Sequence, residues 1–127
     1  MSWTFWLMCG AFFSGLSVAL GAFGAHALKT RLDSYYLEVF ETAVKYQMYH
    51  GLALLALAFV ATRFDGSWLR ASGVLMILGI VVFSGSLYAL VFTGVKKWGM
   101  VTPIGGTFLI AAWLILFVLA FNAWMKS

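Results

Sequence analysis

Four long apolar runs, broken by short polar stretches, account for nearly the whole chain: Trp3 to Ala25, a second run approaching Thr62, Ala71 to Phe92, and Pro103 to Trp124. Crossing the hydrocarbon of a bilayer takes about 20 helical residues at about 1.5 Å each. Three of the runs meet that length easily. The cleanly apolar part of the second covers only residues 51–62, roughly 18 Å of helix, so a crossing there has to begin near Ala43 or Val44. It then carries Lys45, Tyr46, Gln47, Tyr49 and His50 into or near the membrane. The pattern predicts an all-α, polytopic membrane protein: a four-transmembrane-helix bundle in one domain, residues 1–127, with spans of about 3–25, 43–62, 71–92 and 103–124.

The breaks carry their own signals. Thr102-Pro103 reads as an N-cap followed by proline at the first helical position, where the missing N–H costs nothing. Asp65-Gly66 predicts a tight turn. Asp33-Ser34 can cap a helix running through Glu38, Glu41 and Lys45, with Glu41 and Lys45 four apart in the favourable order. Ala25-His26-Ala27 has the form of a signal-peptidase site, but Met-Ser-Trp-Thr offers no basic start and the run is long, so a retained helix is expected.

Composition agrees with lipid as the solvent. Hydrophobic residues make up 64% of the chain and charged residues only 9%, where a soluble domain carries about a quarter. The net charge is +4, but the basic residues lie singly or in pairs, which suits membrane lipids as partners and gives no patch for nucleic acid. Lys29, Arg31, Lys45, Lys96 and Lys97 fall on the side of the first and third connections, against Arg63, Arg70 and Lys126 on the other. That bias predicts N- and C-termini outside the cytoplasm. Trp3, Trp6, Trp68 and Trp124 gather on the terminal side. The lone cysteine, Cys9, reads as a small buried hydrophobe.

The polar residues inside the spans are one-sided. Centring each span places the midplane near Ser14, Ala53, Val81 and Ala112. Ser17, His50 and Ser84 then lie roughly 4 Å from it, towards the first and third connections. Gln47, Ser86 and Thr107 follow at roughly 7–9 Å, and Tyr46 and Tyr88 at about 10 Å. The terminal half offers Cys9, the Trp113 indole, and Ser72, Thr62 and Asn122 near its edge. Hydrocarbon supplies no hydrogen-bond partners, so Ser17, Tyr46, Gln47, His50, Ser84, Ser86, Tyr88 and Thr107 are expected to face inward around a ligand pocket or trapped water.

Small residues mark seams: Ser14, Ser17, Gly21 and Gly24, then Gly85 and Ala89, then Gly105, Gly106 and Ala112. Their spacing suits close helix approach, within the bundle or in a homo-oligomer. Phe13-Ser14-Gly15 with Ala19-Leu20 recurs as Phe83-Ser84-Gly85 with Ala89-Leu90. The recurrence raises an architecture of two parallel-repeat helical hairpins.

The candidate chemistry is sparse. His26 falls about 17 Å from the midplane and His50 about 4 Å, a gap that two imidazoles on one ion cannot close, so no metal or haem is expected. His50 could carry or relay a proton, or remain a neutral imidazole fixing helix register. Glu38 and Glu41 lie well above it, so no serine–histidine–carboxylate set forms, and no cofactor motif is present.

Gly21-Ala22-Phe23-Gly24-Ala25-His26, Tyr46-Gln47 with His50, Phe83-Ser84-Gly85-Ser86-Leu87-Tyr88 and Val101-Thr102-Pro103-Ile104-Gly105-Gly106 resemble, in order, the four blocks of the domain-of-unknown-function 423 family. The family is also called UPF0382, with eukaryotic relatives known as the transmembrane protein 256 family. The resemblance implies a small four-helix membrane protein, in bacteria usually of the inner membrane, and no established activity. Its pattern contains His26, Tyr46, Gln47, His50, Ser84, Ser86, Tyr88, Pro103 and Gly105, all present here. The expectation is a non-enzymatic module whose polar half-membrane pocket binds a small ligand, a lipid or a partner helix. The alternative is an oligomeric channel or transporter for protons or a small solute, with His50 on the path.

Overall fold

A computed structural model describes residues 2–127. Four spans cross: Trp3–Leu28, Ser34–Ala61, Ser67–Thr93 and Lys96–Lys126. The second is one unbroken α-helix of 28 residues, roughly 42 Å long and so longer than the hydrocarbon is thick. Its first turns stand at the membrane surface, where Asp33 accepts a hydrogen bond from the Tyr36 N–H at 2.9 Å, the expected cap. Glu41 and Lys45 do not pair; among the described residues the one ion pair joins Arg70 to Asp65 beside the second connection.

Several ends differ from expectation. Thr102 does not cap the fourth helix: Val101 holds that position, and the Thr102 hydroxyl meets the Ser86 hydroxyl at 2.6 Å instead. A 3-10 turn over Lys96–Met100 precedes that helix and brings the Lys96 ammonium 5.2 Å from the centre of the Tyr35 ring. The third span ends at Gly94, whose φ of 71° closes the helix through a left-handed residue. Two π-helical turns, Gly24–Leu28 and Ile80–Ser84, carry no signal in the apolar pattern.

The second and third spans form the centre; the first packs on the second and the fourth on the third. Both hairpins close through the same clasp. A Cβ on Gly10 would meet the Gly51 carbonyl and Leu55, and one on Gly79 would meet the Gly105 carbonyl and Leu109. Reciprocally, Gly51 faces Ser14 and Gly105 faces Phe83, in each case one turn beyond the first glycine. The small residues expected to serve an oligomer are thus largely used within the chain: Gly21 meets Val44 and Gly24 meets Phe40. The sequence repeat pairs Ser14 with Ser84, whereas the clasp pairs Ser14 with Phe83. The π turn, where the Gly85 N–H reaches back to the Ile80 carbonyl, holds the extra residue.

Two apolar clusters fill the interior. The larger, in the terminal half, gathers Trp6, Leu54, Leu57, Met76 and Ala112. Trp6, on the terminal side, is fully buried, its ring edge set against Gly73 of the third span. The smaller cluster, Leu28, Phe40 and Val91, seals the other end. Between them lies the polar layer.

Candidate functional site: a polar layer between two apolar clusters

The inward stripe of the second helix runs Phe40, Ala43, Gln47, His50, Leu54 and Leu57, spacings of three and four that keep all of them buried. Its two middle side chains organise the layer. The Gln47 amide donates to the Phe13 carbonyl at 3.0 Å and accepts the Tyr88 hydroxyl at 2.7 Å, tying the first, second and third spans together. Ser17 donates to the same Phe13 carbonyl at 2.8 Å. Ser84 donates to the Ala43 carbonyl at 2.7 Å, and Ser86 lies between the Phe83 carbonyl and Thr102.

His50 has both ring nitrogens engaged. Nδ1 lies 2.7 Å from the Tyr46 carbonyl, which can only accept, so Nδ1 carries the proton. Nε2 accepts from the Trp113 indole N–H at 2.9 Å, a group that can only donate. The pair of bonds selects one neutral tautomer. A proton added at Nε2 would face the indole N–H, so protonation requires Trp113 to leave. The imidazole also stacks with Tyr46, with centroids 6.3 Å apart and planes 22° apart. Tyr46 in turn lies on Phe83 at 4.7 Å.

The structure brings Ser17, Gln47, His50, Ser84, Ser86 and Tyr88 into this layer, but not as a trio of Ser17, His50 and Ser84 bonded to one another. Each bonds to a backbone or to another partner. Tyr46 stands at the outer edge, 40% exposed. Thr107 lies outside the layer: it is exposed and bonds back to the Pro103 carbonyl of its own helix. The side chains of the layer are paired with one another or with backbone carbonyls. The two cavities that stand out lie instead on the terminal side, about 300 Å³ beside Trp68 and Leu114 and about 210 Å³ beside Trp6 and Arg70.

Sequence reasoning missed Trp113, because counting Cα depth put its indole in the terminal half. Helical side chains lean towards the helix N-terminus, and that end of the fourth helix lies at the third connection. The indole therefore leans towards His50, a signal available from the span directions alone. Ser72, which ties the third span to the Ala112 carbonyl at 2.9 Å, is a second polar crosslink that depth counting set aside. Ser14 Oγ, pressed against Gly51, is the enclosed polar side-chain atom without a partner among the described residues.

Fold and layer define a class: a polytopic α-helical membrane protein whose four helices are registered by hydrogen bonds at one depth. The family model for the protein of unknown function DUF423 matches residues 20–106, and the chain belongs to that family. It is 44% identical over 118 residues to UPF0382 membrane protein SH2409 of Staphylococcus haemolyticus, covering 91% of this chain and 94% of the relative. It is 44% identical over 115 residues to UPF0382 membrane protein YwdK of Bacillus subtilis, covering 90% and 94%. Identity to the UPF0382 inner membrane protein YgdD of Escherichia coli K12 is 39% over 118 residues, covering 93% and 90%. No solved structure matches the chain.

Proposed function

We propose that this protein is a non-enzymatic module of the bacterial inner membrane that docks a partner transmembrane helix on the outer face of its second span. The observation that carries the reading is a contrast in hydrogen bonding. Inside, the polar layer is paired; outside, Tyr46 and Tyr49 are 40% and 54% exposed, and their hydroxyls bond to nothing among the described residues. Their Cα atoms lie about 10 Å and about 6 Å from the midplane, well within a hydrocarbon half-thickness of about 15 Å. Side chains on this helix lean towards the first connection, which brings the Tyr46 hydroxyl near headgroup depth and leaves that of Tyr49 below it. A neighbouring helix offers hydroxyls, amides or carbonyls at the required level.

The reading differs from a proton or solute path in what it asks of His50. Such a path needs a free imidazole nitrogen and polarity through the full thickness. His50 is bonded at both nitrogens, and Trp6, Leu54, Leu57 and Met76 fill the terminal half.

A photo-crosslinking amino acid at Leu52, which shares the exposed face with Tyr49, tests the proposal in cells. The expected result is a polypeptide adduct of defined mass that falls about threefold to twentyfold in the Tyr46→Phe/Tyr49→Phe variant, the range for one or two lost interhelical hydrogen bonds. Adducts to lipid alone, or a polypeptide adduct indifferent to the two hydroxyls, would overturn it.

A further inference from the structure

The docking face of the second span continues beyond its two tyrosines. Glu38, Glu41, Lys45, Tyr49 and Leu52 recur at spacings of three and four along the helix, and all of them are exposed. The helix is unbroken through them, so the stripe runs from near the midplane out past the hydrocarbon. Glu41 and Glu38 stand about 18 Å and about 22 Å from the midplane. Neither carboxylate has an ion-pair partner among the described residues, where the one pair joins Arg70 to Asp65. The stripe is therefore an acidic, hydroxyl-bearing face at the end of the bundle where basic residues otherwise prevail. It gains from cations and acceptors that its own bundle does not bring to it.

The fourth span carries the complementary set on its own outer face. Pro103, Thr107, Ile110 and Leu114 repeat at the same spacings and are exposed, on the side away from the buried Gly105, Leu109 and Ala112. Both spans start from the side of the first and third connections, so depths along them compare directly. Thr107 lies about 8 Å from the midplane, between Tyr46 at about 10 Å and Tyr49 at about 6 Å. Its hydroxyl donates its proton to the Pro103 carbonyl at 2.9 Å, which leaves the oxygen free to accept. The Tyr49 hydroxyl is unpartnered among the described residues and has a proton to donate. Beyond the hydrocarbon, Lys97 is exposed and without an ion-pair partner in the turn that leads into the fourth helix. It stands roughly 25 Å from the midplane. The contact of Lys96 with the Tyr35 ring holds that turn level with the start of the second helix.

We infer that the helix docked on the second span is the fourth span of a second copy of this chain, with Tyr49 donating to Thr107 and Lys97 meeting Glu38 and Glu41. The inference rests on the docking face proposed above and names its occupant. Charge and hydrogen-bond sense decide the pairing. A twofold contact between second spans sets Glu38 and Glu41 against their own copies, and one between fourth spans sets Lys97 against Lys97. Second against fourth matches donor to acceptor inside the hydrocarbon and acid to base beyond it. Lys45, the one cation on the stripe, lies a turn inward of Glu41 and leaves the stripe net negative. Because the two faces differ, the contact is head to tail, and each copy keeps one face of each kind for the next, as in a ring or a chain. Both faces lie outside the polar layer, so docking leaves the register of the bundle untouched.

Disulfide cross-linking of the full-length chain in bacterial membranes tests the inference. In a Cys9→Ser background, one chain carries Leu52→Cys and another, with a tag of different size, carries Ile110→Cys. Both positions are exposed, at 51% and 62%, and they lie within about 2 Å of each other in depth. On co-expression and oxidation the mixed adduct should exceed either self-adduct. Thr107→Val should cut it about threefold to twentyfold, the range for one lost interhelical hydrogen bond. Lys97→Glu should cut it about twofold to fivefold, and Glu38→Lys added in the same chain should restore it. The altered side chains are exposed, and circular dichroism of each variant confirms that the bundle is intact. Self-adducts that equal or exceed the mixed one overturn the inference. So does the absence of any adduct, or a mixed adduct indifferent to Thr107→Val and to the charge exchange. The photo-adduct at Leu52 separates this inference from the reading beneath it. A hydroxyl-dependent polypeptide adduct whose mass is not that of two chains keeps the docking face and refutes the second copy.

Discussion

Two neighbouring glycines on the fourth helix should respond oppositely to the same added methyl. At Gly105 a Cβ would fall 2.7 Å from the Phe83 Cα and 2.8 Å from its Cβ, and nearer still to the Phe83 nitrogen. The nitrogen and Cα are backbone atoms of a helix interior and the Cβ is fixed to them, so none can swing aside and the third and fourth spans must part. Overpacking of this kind costs about 1–3 kcal/mol, and contact with backbone puts it at the upper end. Alanine's better helix propensity returns up to about 1 kcal/mol, leaving Gly105→Ala about 2 kcal/mol less stable. At Gly106 the nearest atoms to an added Cβ are ring carbons of Phe83 at 3.7 and 3.9 Å, ordinary contacts. Gly106→Ala should therefore be neutral or up to about 1 kcal/mol more stable. Unfolding the protein in mixed micelles by titration with sodium dodecyl sulfate, followed by circular dichroism, measures both. The reasoning is wrong if the two variants agree to within about 0.5 kcal/mol, the scatter of substitutions that touch nothing.

The same titration on His50→Phe, Trp113→Phe and the double variant should give a coupling of about 0.6–1.7 kcal/mol between the two side chains, and additive losses would deny their hydrogen bond. Deleting Val81, which is exposed within the π turn, should be tolerated, because removing one residue restores an ordinary helical turn and leaves Ser84, Ser86 and Tyr88 on their faces. Deleting Val18, equally exposed but in regular helix, swings one end of the first span by about 100° relative to the other and should abolish folding; equal behaviour of the two deletions would contradict the bulge. Cysteines placed at Ser2 and Ser127 should both label in intact cells with an impermeant reagent, as the basic-residue bias proposes, and protection of both would reverse the orientation.

Much of the fold was legible because hydrocarbon imposes one rule, that every backbone polar group be satisfied within the segment. Four apolar runs therefore meant four helices, and Asp33 marked the start of the second through side-chain chemistry that acts locally. What stayed hidden depends on rotation. A run that is apolar all round does not show which face meets a neighbour. Trp6 on the first span carries no sign of its inward face in the sequence, and it is core because Gly73 of the third span leaves room for it. The polar layer was legible by depth, since depth follows from counting. Its pairing was not. Gln47 joins Tyr88 and His50 joins Trp113, while Thr107, at a similar depth to Gln47, faces outward. Depth is a one-dimensional property of sequence, and pairing also needs the angle around each helix.

The division of labour between glycines and polar side chains explains why the layer is paired rather than open. The two glycine clasps act within hairpins, joining the first span to the second and the third to the fourth. The bonds of the layer act mainly between hairpins: Gln47 to Tyr88, Ser84 to the Ala43 carbonyl, and His50 to Trp113. In lipid no hydrophobic force distinguishes one apolar helix face from another, so two prefabricated hairpins could slide or rotate past each other at little cost. Directional bonds at a single depth remove that freedom. Ser84 closes the π turn that adds one residue beyond the clasp at Gly79, and from there it reaches the Ala43 carbonyl of the second span. A site built to fix register must keep its partners, and one that exchanged them with a ligand would release the hairpins each time. That is the physical reason to look for binding on the outer face of the second span, where the Tyr46 and Tyr49 hydroxyls stand without partners among the described residues and the register does not depend on them.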